Sequence, residues 1–243
     1  MSAGRGSTQP ASAQPRWLEI VTAVQRDPEG AGLGACLCRE CDLYLGADAS
    51  SIALVMDHAY SLVAASSNLA VVLDEEQFML GEGPSFDGAR SDVPVGTGDL
   101  GSDRWARRWP GFLGFAQRAE VQGAFAFPVR VGEARIGVMT AYRRGGGELS
   151  TQAYTDGLIL ASVAATLLLR AQAGTEDGGL AQEFAQGVND QANIQRAAGM
   201  VAEQLNLSVL TALVRIRATA YARGLPLNVI ANQILSAELT IEP

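Results

Sequence analysis

Lysine is absent from this chain: all 18 cationic side chains are arginine, set against 26 acids for a net charge of −8. A net charge of that sign gives no general attraction for polyanions, so any nucleic-acid contact has to come from a local basic face. The only histidine, His58, falls in a predicted turn with no ligand spacing around it. The only cysteines, Cys36, Cys38 and Cys41, lie within six residues of one another, unlike a secreted disulfide framework. Three thiolates without a fourth ligand do not make a tetrahedral metal site, so neither a metal nor a cofactor is expected. Cys38 and Cys41 share one helical face, which fits buried small residues or a thiol pair acting as a redox sensor or small-thiol enzyme. No glycine-rich run is followed by the Lys-Ser/Thr pair of a phosphate cradle, and no kinase signature is present. The amino end lacks the apolar core of a signal peptide. The longest apolar stretch, LILASVAATLLL, is too short to span a bilayer, so the expectation is a cytoplasmic protein without a membrane role.

What is present suits packed cores: 243 residues, 48% of them apolar, enough for one large domain or two small ones. Residues 1–15 are small and polar and read as disordered. From Trp17 the pattern is two helices, the second ending at Leu45, then strands SIALVM and SLVAAS across a turn at 57–60. LAVVLDEEQFMLGEGPSF reads as a helix giving way to a glycine loop, and SDVPVGTGDL as an edge strand or extended loop. A helix interrupted at Pro110 follows. AFAFPVRV and ARIGVMTAYR are the strongest hairpin signal, and Ser150 caps a long apolar helix beginning at Thr151. The order implies an α+β fold over residues 16–171, an antiparallel sheet flanked by helices.

The segment AGTEDGG, within a linker spanning 172–179, carries three glycines and predicts a hinge. Residues 180–243 then read as a small three-helix module. Ile194, Ala197, Val201 and Leu205 form the inward stripe of its first helix. Ser208 caps the second, with Val209, Ala212, Leu213, Ile216 and Ala220 inward, and Gly224 ends it. Pro226 opens the third, with Val229, Ile230, Gln233 and Ile234 on one side. Up to Gly179 the chain holds 21 acids and 14 arginines; beyond it, 5 and 4. The module is therefore close to neutral.

Residues 16–171 resemble a GAF domain, through LGEGPSFDGAR at 80–90, RWPGF at 108–112, GAFAFPVRVGEARIGVMTAYR at 123–143 and the Leu149-Ser150 step. Residues 180–238 resemble an ANTAR domain, through QRAAGMVAEQLNLS at 195–208, TALVRIRATA at 211–220 and LPLNVIA at 225–231. The pairing is similar to actinobacterial transcription antitermination regulators. It implies a one-component regulator, not an enzyme, with a GAF input for a small-molecule effector and an output that binds twin RNA hairpins. The alternative is a sensor or scaffold whose ANTAR-like module makes protein contacts and does not bind RNA. Ala198 supports it, standing where many ANTAR sequences carry lysine.

For the RNA reading the candidate contacts are Arg196, Arg215, Arg217, Tyr221 and Arg223, since guanidinium groups fork onto phosphates and stack, with tyrosine, on unpaired bases. Arg217 matches the arginine of the family's LR step. For an effector pocket the candidates are Phe78, Phe86, Trp105, Trp109, Phe112 and Met139, with Asp87 and Arg90 as polar groups; the same aromatics also suit core filling. Leu158, Leu160, Val163, Leu167, Leu168 and Leu169 give the helix from 150 to 171 more apolar surface than one sheet needs, which predicts a homodimer through paired helices.

Overall fold

A computed structural model describes residues 15–26, 32–56, 59–173 and 179–242. The readings made at residues 1–14, at the His58 turn and at the centre of the predicted hinge lie outside them. Two helices, α1 (Arg16–Val24) and α2 (Leu33–Leu45), precede a hairpin of β1 (Ala49–Met56) and β2 (Ala59–Ala65). Then come α3 (Asn68–Leu80), α4 (Pro84–Arg90), β3 (Val95–Thr97), α5 (Asp103–Arg108) and α6 (Pro110–Arg118). The hairpin β4 (Gly123–Val131) and β5 (Ala134–Arg143) leads into α7 (Thr151–Gln172), and α8 (Gly179–Leu205), α9 (Val209–Arg223) and α10 (Leu227–Leu235) follow.

The five strands form one antiparallel sheet in the order β2-β1-β5-β4-β3. Strand alternation sends successive side chains to opposite faces, and both faces are covered. On one side Phe125, Phe127, Met139 and Ala141 meet α1, α2 and α7 in a core with Ile20, Leu37 and Leu160. On the other, Ala53, Ala124, Ala126 and Val138 are small enough for α3 and α4 to approach closely. Gly88 marks how closely: a Cβ there would sit 2.6 Å from that of Ala126.

Segment 80–90 holds a helix where the sequence reading has a loop. Gly83, at φ 127°, turns the chain so that Pro84 opens α4 at its first position, where a missing N–H costs nothing. Most of the α7 excess is also spent at home. Leu160, Val163, Leu167 and Leu168 are buried in the sheet core, leaving Tyr154, Leu158 and Leu169 exposed. Helix α7 is long and apolar enough to cross a membrane over Thr151–Ala171, longer than the run noted in the sequence, with half of that window buried. Its apolar side covers β4 and β5, and its buried Asp156 is held bidentately by Arg16, at 2.8 and 2.9 Å.

The last three helices pack round Ile194, Ala197, Val201, Leu213, Ile216, Ile230 and Ile234. The Ser208 hydroxyl accepts from Thr211 N at 3.1 Å, Gly224 closes α9 at φ 61°, and Pro226 caps α10. Two inward assignments are corrected: Val209 and Val229 are exposed, and Leu227 and Ala231 fill the place given to Val229. Val209 lies in the first turn of α9, ahead of the packed stretch.

Candidate functional site

The α3 side of the sheet carries a buried polar cluster drawn from five segments. Ser51 on β1 and Thr140 on β5 stand opposite each other in register, with Tyr142 two residues on and facing the same way. Asp74 on α3 reaches down to them. Its Oδ1 accepts from Tyr60 OH at 2.8 Å, Ser51 Oγ and Tyr142 OH at 3.0 Å and Ser85 Oγ at 3.4 Å. Gln77, one turn further along α3, donates to Tyr142 OH at 2.7 Å and accepts from Ser85 N at 2.8 Å. The close wrap of the loop needs Gly83, where a Cβ would meet the Gln77 amide at 2.5 Å.

Burial raises the Asp74 carboxyl from its ordinary 3.8 to about 6, opposed by the hydroxyls that donate to it. Burial likewise raises Tyr60 and Tyr142, so both stay protonated donors. Tyr60 stacks on Phe86 at 5.2 Å and on Phe78 at 5.6 Å, making an aromatic shelf beside the carboxylate. Next to that shelf is a cavity of about 130 Å³. Its walls come from β2 and α3 on one side and from α8 and the start of α10 on the other.

The helical bundle lies against this side of the sheet, α8 along β2 and α9 on α3. Arg217 is the group from α9 that enters the seam. Its guanidinium lies 5.5 Å from the Phe78 ring and 5.9 Å from the Phe86 ring, close above Gly81. Burial, together with the like charge of Arg90, lowers its affinity for its proton. Arg90 itself lies 5.6 Å from Phe86.

The other candidate RNA contacts are spread over the bundle. Arg196 is exposed on α8. Arg215 donates to the Glu242 carbonyl at 2.8 Å, and with Arg223 it lines a groove beside residues 239–242. Tyr221 is exposed with Leu210 and Val214, which share its side of α9 at helical spacing. The structure thus does not bring the five onto one face. Ala198, standing where many ANTAR sequences carry lysine, is fully buried in the bundle core.

Of the effector candidates, Phe78 lines the cavity, while Phe86 and Arg90 border the aromatic shelf. Trp109 and Phe112 fill the core under α5 and α6, Trp105 stacks on Trp109, and Met139 faces the opposite side of the sheet. Asp87 is taken up by Trp109 Nε1 at 2.8 Å and by Arg108. Asp74, Tyr60, Gln77 and Tyr142 were missed. Their signal was polar residues sharing one face inside otherwise apolar elements. The thiol reading is overturned: all three cysteines are buried and free of disulfides, burial pushes Cys41 up to about 12, and Cys38 is raised too. Among the described residues no group of His, Cys, Asp and Glu is placed to hold a metal.

Asp74 releases its proton near 3.8 in the unfolded chain and near 6 in the folded one. Between those values the folded state binds more protons, so stability falls as pH rises, by roughly 3 kcal/mol in all. Asp74→Asn is expected to flatten this part of the curve when unfolding is followed in denaturant from about pH 4 to 7. An unchanged slope contradicts the assignment.

Neither a protein-family profile nor a curated protein matches the chain. Among solved structures it is similar to the GAF domain of a phosphoenolpyruvate-protein phosphotransferase from Coxiella burnetii, at 16% identity and TM-score 0.50, covering 66% of this chain and 94% of that one. The corresponding Acinetobacter domain matches at 13% identity and TM-score 0.49, covering 66% and 94%. At such identities likeness speaks for fold alone. The chain has a GAF-like α+β fold, an antiparallel sheet flanked by helices, followed by a helical bundle.

Proposed function

We propose that this chain is a non-enzymatic sensor. Its GAF-like part takes up a small effector, and its helical bundle is an output surface that engages a protein. The observation that supports this reading most is Arg217. The cation matching the ANTAR-like arginine is spent on Phe78 and Phe86 of the same chain, while the exposed side of α9 is apolar at Leu210, Val214 and Tyr221. A chain of net charge −8 offering apolar rather than basic surface suits a protein partner better than a polyanion.

Control of transcription termination through twin RNA hairpins is the second reading. It draws on the ANTAR resemblance and on Arg196, Arg223 and Tyr221, which remain exposed. Fluorescence anisotropy with a twin-hairpin RNA at about 50 and 150 mM salt separates the two, because phosphate contacts make affinity steeply salt-dependent. The protein-contact reading predicts no specific binding at the higher salt. Tight, salt-sensitive binding that is lost in an Arg196→Ala, Arg223→Ala double variant establishes the RNA reading instead.

A homodimer is part of the proposal, formed by the outer side of α7 through Tyr154, Leu158 and Leu169. Burying those side chains between two copies removes apolar area that one chain leaves exposed. Light scattering at micromolar concentration is expected to return twice the chain mass of 25.5 kDa. A mass of one chain rejects the dimer.

A further inference from the structure

The cavity in the seam has a chemical character of its own, and the inference drawn from it rests on the small-effector reading above. Among the described residues every charged side chain lining it is an acid: Asp74 and Glu75 from α3, and Asp190 from α8. Asp74 is 1% exposed, and while its Oδ1 is crowded with hydroxyl donors, its Oδ2 is buried with no hydrogen-bond partner among the described residues. A buried carboxylate oxygen left in this way favours a donor, and a charged donor most of all. Tyr60 and Phe78 add aromatic rings to the wall, a surface that attracts a cation.

The remaining walls, with Met79 and Ile194 among them, are aliphatic and suit an alkyl group. The start of α10 does not turn the site toward anions. Its Val229 N–H is taken by Asn228 Oδ1, and the Asn228 amide donates to Asp190 at 3.0 Å. At about 130 Å³ the space is close to the roughly 150 Å³ that holds benzene, so the guest has about six heavy atoms or fewer.

We propose that this cavity binds a small alkylammonium ion that keeps at least one N–H, donated to Asp74 Oδ2, with its alkyl groups against Tyr60, Phe78 and Ile194. The sheet side and the helical bundle each supply part of the wall, so the guest fastens one to the other. Its affinity for the closed seam is then the coupling between input and output.

Titration calorimetry on the full chain tests this with trimethylammonium, tetramethylammonium and tert-butanol, which have nearly the same shape. Trimethylammonium has a charge and an N–H, tetramethylammonium a charge only, and tert-butanol no charge. Trimethylammonium is expected to bind roughly tenfold more tightly than tetramethylammonium, and tert-butanol not to bind measurably. Asp74→Asn should weaken trimethylammonium by about tenfold or more, and Phe78→Leu, which leaves the carboxylate in place, by about threefold. Should Asp74→Asn fail to fold, the Phe78→Leu result and the order of the three probes decide. Equal binding of all three, or undiminished binding in a folded Asp74→Asn variant, overturns the proposal. Acetate and propionamide are run alongside: binding of either without trimethylammonium overturns the ammonium assignment but leaves small-effector sensing standing. No binding by any probe counts against both.

Discussion

A carboxylate sunk beneath α3 organises this face of the protein. Asp74 collects hydroxyls from β1, β2, α4 and β5, so four elements are referred to one oxygen. Keeping a carboxyl there is costly, and its raised pKa expresses that cost. In return α3 is fixed in rotation and height. Gln77 and Phe78 lie one turn beyond Asp74 on the same side of the helix, so anchoring Asp74 places both. Gln77 then holds the loop before α4, and Phe78 is presented at the surface that the helical bundle covers.

That seam is held by two unequal contributions. Phe78 and Met79 pack against the apolar core of the bundle, which contributes by area and is indifferent to chemistry. Arg217 adds direction, since a guanidinium over two rings fits one registration of α9 on α3. A contact of this type is worth about 0.5–2 kcal/mol, while partial burial and the like charge of Arg90 count against it. That directional contribution is within reach of a small ligand's binding energy.

Local signals made much of the fold legible. The β4–β5 hairpin, the Ser150 and Ser208 caps, and the ends of α9 at Gly224 and of α10 at Pro226 all follow from residue type and position. The α4 helix was not legible, because its glycines read as a loop and its helical form depends on lying flush against Ala126. The polar cluster was visible only in part. Thr140 and Tyr142 share a parity in an apolar strand, and Asp74 and Gln77 interrupt an apolar helix, but nothing local says that they meet. Arg217 was singled out as the match to the arginine of the ANTAR LR step. Periodicity within one helix carries no information about a second surface coming down on its other side, so its aromatic partners could not be foreseen.

The central claim is that Arg217 and Phe78 couple the bundle to the sheet. A double-mutant cycle on the unfolding free energy, with Arg217→Met and Phe78→Leu singly and together, measures that coupling directly. The account predicts a favourable interaction of about 0.5–2 kcal/mol between the two positions. Simple additivity of the two substitutions would contradict it.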